Sequence, residues 1–261
     1  MSDRGGTVAG MVTYSQTEEF RDAEFVDLSM RGARFRGVGL GGVVMRGVSV
    51  EGVEIDDPWL LEGGALIVNG VDVAPYVDAE LNRRFPGREL RRAEDPEGLR
   101  QAWSALERTW AATTERAAAM PEGAVDISVE GEWSFAQTLR HLVMATDTWL
   151  RGAAQQIERP YHPIGQPNGE YYTDGHDPSV FAEETPSYQE VLAVRADRQA
   201  MVRDFLAATT PEQLAQERRN PWAPEYRETV RNCIGTILEE EWEHHRYAVR
   251  DLDAIQGAST V

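Results

Sequence analysis

Apolar residues recur at every fifth position through Phe20, Phe25, Met30, Phe35, Leu40, Met45, Val50, Ile55 and Leu60. No single regular element has that period: a helix repeats about every 3.6 residues and a strand about every 2. A second register two residues earlier holds small or apolar groups at Ala23, Leu28, Ala33, Val38, Val43, Val48 and Val53. Such spacing suits a solenoid that turns one side chain inward from each short side. The intervening Arg21, Asp22, Arg31, Arg36 and Glu51 then face water. A repeat of this kind constrains the fold strongly, because its inward face is buried only by stacked neighbours.

The stretch 20–60 resembles pentapeptide-repeat proteins, on the segments RDAEF, RGARF and RGVGL, with Phe25, Phe35 and Leu40 as the inward residues. The resemblance implies a short right-handed square β-helix. Later repeats depart from the pattern by using Val where that family prefers Ala. Gly37, Gly39 and Gly42 also spell a dinucleotide-binding fingerprint, but that motif needs a preceding strand and a following helix. Here the five-residue register simply continues, so the glycines are read as solenoid corners.

The period then changes. Leu66 to Val73 predicts a small hairpin turning at Asn69-Gly70. Pro75 opens a helix that stops before Pro86-Gly87. The charged, Pro-broken stretch from Arg88 to Pro96 places a boundary. The expected organisation is a solenoid over 15–60, a hairpin, helix and linker over 61–95, and a four-helix bundle over 96–255. The fold class is therefore α+β and multi-domain.

Four helical patterns fill the last segment. Leu99, Trp103, Leu106 and Trp110 share one face of a helix from Pro96 to Met120. A second starts at the N-cap Ser134 and carries Phe135, Leu139, Leu142 and Trp149. The third runs from Pro186 to Ala208 and the fourth from Arg227 to Ile255. A long Pro-, Gly- and Tyr-rich connection, 158–185, joins the second to the third, as in bundles with a crossover. Tyr161-His162-Pro163 and Tyr171-Tyr172 within it suit a lid or an ordinary surface loop.

Composition narrows the chemistry. All 26 basic residues are Arg, which removes Schiff-base lysines and the P-loop lysine. The single cysteine, Cys233, excludes an internal disulfide and a Cys-rich zinc knuckle, and fits a reducing, cytoplasmic compartment. A net charge of −18 disfavours nucleic acid as a partner. Neither a membrane span nor a secretory leader in Met1 to Tyr14 is expected.

The fourth helix carries the most informative run. The seam Ile234, Leu238, Glu241, His245, Ala248, Leu252 is apolar or small except at its centre. A carboxylate and an imidazole one turn apart in a core are costly unless paired, and a metal ion pairs them. The neighbouring seam of Cys233, Ile237, Glu240, His244, Tyr247 and Asp251 is wetter and ranks second. On the second helix, His141 has the small Thr138 and Ala145 one turn to either side. His141, Glu241 and His245 would form a three-donor set with an open position, the mark of a catalytic metal site. The competing reading is a hydrogen-bonded core histidine beside a surface Glu–His pair.

The segments Trp133 to Leu142 and Glu241 to Leu252 resemble the DinB-like superfamily of metal-binding four-helix bundles, over about residues 96–255. The resemblance implies the same three ligands, His141, Glu241 and His245, with Glu241 standing where most members have His. Mycothiol-dependent maleylpyruvate isomerases share that Glu, and related thiol S-transferases share the fold. The implied activity is a transferase or isomerase that activates a low-molecular-weight thiol such as mycothiol on a divalent metal, zinc or nickel. Its partners would be a small-molecule substrate and the thiol. Arg140, Arg198 and Arg246 are nominees for holding carboxylates. The alternatives are a metal-assisted hydrolase, with Glu240 or His244 as base, and a non-enzymatic pentapeptide-repeat binding protein. The N-terminal segment is expected to scaffold a homodimer or wall the active-site cleft.

Overall fold

The computed structural model describes residues 12–258, apart from residues 16, 18 and 63. The leader reading of Met1 to Tyr14 lies, for residues 1–11, outside the described residues. Contacts divide the chain into two units, Met1–Ile55 and Asp56–Val261.

The first unit does not form the expected β-helix. Its described residues contain turns and extended links but no strand. The turns recur every ten residues, closed by Ala23 N–H to Phe20 O, Ala33 to Met30, Val43 to Leu40 and Val53 to Val50. Gly32, Gly42 and Gly52 supply the left-handed backbone that these turns require. The side chains expected to point inward remain in water: Phe25 is 51% exposed, Phe35 59% and Leu40 44%. A solenoid buries an inward residue only between the layers above and below it. About two coils leave nearly every layer without one of those neighbours. The periodicity therefore produces regular turns without a closed core.

The second unit is mostly helical. Strands β1 (Ile67–Val68) and β2 (Val71–Asp72) form the small hairpin around Asn69-Gly70. Helix α1 spans Ala74–Arg84. Helix α2, Pro96–Ala118, is capped by the Asp95 carboxylate, which accepts from the Glu97 and Gly98 N–H groups. Helix α3, Phe135–Thr146, starts with a reciprocal capping box between Ser134 and Gln137 and continues into a π-helical segment, Asp147–Ala154. A short helix α4 (Gly169–Thr173) lies in the long connection. Helix α5, Tyr188–Ala208, has a second capping box between Ser187 and Glu190. The four-residue α6 (Pro211–Leu214) and a two-stranded ribbon, β3 (Glu217–Arg219) with β4 (Arg227–Thr229), lead into α7, Val230–Ala258.

Helices α2, α3, α5 and α7 pack into one bundle. Its core contains Leu99, Trp103, Leu106, Leu139, Leu142, Val202, Leu206, Ile234, Leu238, Trp242 and Leu252. Leu99, Trp103, Leu106, Leu139, Leu142, Ile234, Leu238 and Leu252 are residues that the helical spacing marks. The Trp103 indole N–H donates to the Gln199 carbonyl at 3.2 Å, tying α2 to α5. The segment before the bundle is fastened to α7 by charge. Arg91 pairs with Glu239 at 2.9 Å, Arg88 with Glu243 at 3.4 Å, and Arg246 with Asp56 at 2.6 Å. Residues 56–92 thus belong to the same contact unit as the bundle. No helix among the described residues is long and apolar enough to cross a membrane.

Candidate metal centre

The structure brings His141 together with Glu240 and His244, and not with Glu241 and His245. The three side chains each offer a donor atom, and these atoms all lie within 4.8 Å of one another. The His141 Nε2 to Glu240 Oε2 distance is 3.5 Å, and His244 Nδ1 lies 3.4 Å from the same oxygen. The His141 and His244 rings sit 4.7 Å apart, and Trp133 packs on His141 at 4.6 Å.

The local environment prepares these groups as ligands. His141 Nδ1 lies 3.0 Å from the Gln166 carbonyl oxygen. A carbonyl only accepts, so Nδ1 carries the proton and Nε2 presents its lone pair. His244 Nδ1 is likewise 2.9 Å from the Glu240 carbonyl oxygen, so that nitrogen carries the proton. Burial pushes the His244 imidazole down to about 4, so it is neutral at pH 7. Burial works to raise the Glu240 carboxyl, but the His141 and His244 rings beside it outweigh burial and hold it below the usual carboxylate range, ionised.

The donor spacing also fits an ion. Two ligands about 2.1 Å from a tetrahedral centre stand about 3.4 Å apart. The 3.5 Å between His141 Nε2 and Glu240 Oε2 matches that edge and is long for a hydrogen bond. Two neutral imidazoles and one carboxylate are the donor set of a borderline cation such as zinc or nickel.

The Glu241–His245 seam is buried as its spacing implies, but it has other partners. Glu241 forms a buried ion pair with Arg195 of α5. Burial raises the Glu241 carboxyl, and Arg195 opposes that shift. His245 contacts the Thr113 hydroxyl of α2 at 2.8 Å and packs edge-on against Trp110. Thr113 gives its own proton to the Thr109 carbonyl, so His245 Nε2 is the donor in that contact. A bundle helix faces two neighbours at once: this seam faces α2 and α5, and the seam one residue earlier meets His141 on α3.

The nominated arginines are all engaged. Arg246 grips Asp56 and Glu243 and stacks on Tyr247. Arg198 holds Asp147 at 2.6 Å, and Arg140 donates to the Ile164 carbonyl at 2.9 Å. In the long connection, Tyr161, Tyr171 and Phe181 form a small apolar cluster over Met144 of α3. His176 lies between Tyr171 and Trp222, apart from the centre. Cys233 is fully buried, and burial pushes its thiol up to about 12.

A cavity of about 240 Å³ opens beside His244, lined by Trp133, Thr138, Tyr247, Arg250 and Asp251 among others. Thr138 was legible in the sequence as a small residue one turn from His141. Arg250 was not singled out, although it lies within the Glu241 to Leu252 run; it bonds to Asp251 at 2.7 Å.

A helical bundle with two histidines and a glutamate gathered from α3 and α7 defines the class of protein. The chain belongs to the DinB superfamily, whose family model matches residues 105–248, a little over half of the sequence. No curated protein and no solved structure matches the chain.

Proposed function

We propose that this chain is a metal-dependent transferase or isomerase in which His141, Glu240 and His244 hold a divalent cation, zinc or nickel, for use with a low-molecular-weight thiol. The observation that carries this reading is the meeting of three prepared donors with a cavity at their edge. Three protein ligands and an open position characterise catalytic sites, whereas structural zinc sites are closed by four. A bound divalent ion supplies a Lewis acid that lowers the pKa of a thiol and presents it as a thiolate at neutral pH.

The residues of the chain contribute the rest. The Gln166 carbonyl fixes the His141 ring, Glu240 supplies the negative charge, and Trp133 and Tyr247 wall the cavity. The thiolate sulfur would form a C–S bond to an electrophilic carbon of the substrate. In transfer, the leaving group departs with its bonding pair; in isomerisation, the same C–S bond breaks again after the substrate has rearranged. The thiol comes from outside the chain, because Cys233 is buried and fully protonated at pH 7. The partners proposed are therefore a small electrophile and a small thiol such as mycothiol, in a cytoplasmic setting that keeps that thiol reduced.

Hydrolysis on the same centre needs a base besides the ligands. Asp251 lines the cavity but is held by Arg250, which weakens that reading.

Elemental analysis of the purified chain is expected to find about one divalent ion per protein. Adding 2-mercaptoethanol to the Co²⁺-substituted protein is expected to produce a sulfur-to-cobalt absorption band. An absence of metal overturns the proposal. Turnover of an electrophilic ester without any thiol favours the hydrolase instead.

A further inference from the structure

His141 owes its orientation to a backbone atom from another part of the chain. The Gln166 carbonyl that takes its Nδ1 proton, 3.0 Å away, ends the segment 162–166. That segment is fastened to α3 and its π-helical extension at several points. Arg140 Nε donates to the Ile164 carbonyl at 2.9 Å, and the Gln166 N–H returns to the Arg140 carbonyl at 3.2 Å. The His162 N–H donates to Asp147 at 2.7 Å, and Arg151 donates to the Pro160 carbonyl. Asp147 is itself fully buried and braced by Arg198.

The opposite side of the segment is equally confined. The Ala182 N–H donates to the Pro163 carbonyl at 2.8 Å, bringing Phe181 against the segment. Tyr161 and Tyr171 hold the Phe181 ring, with centroids 5.4 and 5.5 Å away. A Cβ added at Gly165 would lie 2.7 Å from Phe181 Cε1 and 3.1 Å from Cδ1. An added methyl would push the ring or the segment aside, and the His162 carbonyl oxygen at 3.3 Å confines it from the backbone as well.

We infer that the segment 162–166 is the outer support of His141 as a metal ligand, with Arg140 and Gly165 as its positioning residues. This inference rests on the reading of His141, Glu240 and His244 as a metal site. Arg140 clamps the segment from the α3 side, and the absent side chain at Gly165 lets it sit against Phe181. Together they set where the Gln166 carbonyl stands, and so the tautomer and aim of the His141 ring. A carbonyl partner of this kind commonly accounts for about 10–100-fold in metal affinity.

The test uses the full chain and Co²⁺. Gly165→Ala is expected to weaken Co²⁺ binding at least about 10-fold and to alter the cobalt d–d spectrum, while the metal-free protein melts as the parent does. The double variant Gly165→Ala/Phe181→Leu, which relieves the ring contact but not the His162 carbonyl at 3.3 Å, is expected to regain most of the parental affinity and spectrum. Arg140→Leu should weaken binding similarly, with Arg140→Lys in between. Parental affinity and spectrum in Gly165→Ala would overturn the inference and leave the metal site standing. A metal-free Gly165→Ala protein that melts far below the parent, without rescue by Phe181→Leu, would also overturn it. If the parent takes up no Co²⁺, the metal reading itself fails.

Discussion

The Glu240 carboxylate meets the His141 imidazole at 3.5 Å, across the interface between α7 and α3. Its neighbour in sequence, Glu241, points elsewhere and pairs with Arg195 on α5. Successive residues on a helix differ by about 100° in direction, enough to separate two carboxylates into two roles.

That separation makes the ligand register testable. His244→Ala and Glu240→Ala are expected to lose most bound metal, by elemental analysis after dialysis. His245→Ala is expected to keep its metal and to lose stability, because Thr113 forfeits a buried hydrogen-bond partner. The opposite pattern would return the site to Glu241 and His245.

Glu241 should matter for folding. Removing it leaves the Arg195 guanidinium buried without its counter-charge, at a cost of about 3–5 kcal/mol. Urea unfolding of Glu241→Ala should show that loss. The double variant Glu241→Met/Arg195→Met should recover much of it, since apolar replacement of a buried pair is often neutral. A double variant no more stable than Glu241→Ala would show that the pair does not account for the effect.

Acid should weaken the ion-pair network within residues 78–92, where Asp78 meets Arg88, Arg91 and Arg92. Burial alone would raise the Asp78 carboxyl, but hydrogen bonds from Arg88 and Arg91 prevail and hold it at about 2, against an ordinary value of 3.8. A folded-state pKa below the unfolded one contributes stability above the unfolded value. That contribution is lost as pH falls from about 4 through about 2. The linkage is worth about 2 kcal/mol at neutral pH. The stability difference between the parent and Asp78→Asn should therefore shrink across that window, and a difference constant from pH 6 to pH 2 would contradict it.

Cys233 should be chemically silent. Burial pushes its thiol up to about 12, and its side chain is shielded from solvent. A thiol-specific disulfide reagent at pH 8 is expected to label it only after unfolding. Cys233→Ala is expected to retain full metal content. Rapid labelling of the native protein would make it a candidate nucleophile after all.

Much of the bundle was legible because helical burial is written in residue spacing. Ser134 does cap α3, and the Asn69-Gly70 turn joins β1 to β2. Ile234, Leu238, Glu241, His245, Ala248 and Leu252 are all buried. His141 could be singled out because an imidazole between Thr138 and Ala145 on a bundle helix has space beside it. The five-residue register was legible as well, and it does produce turns at a ten-residue interval, but its inward residues stay exposed. Periodicity states which side chains are equivalent; only stacked layers decide whether they are buried.

The sequence by itself determined that α7 carries two overlapping Glu–His pairs one turn apart, and that one set of positions lies deepest in the core. Only the tertiary structure decided which pair meets His141. Thr113 on α2 and Arg195 on α5 engage His245 and Glu241, leaving Glu240 and His244 to face α3. The reason is geometric: spacing along one helix fixes which residues share a face, whereas the identity of the facing residue depends on how the other helices are arranged around it.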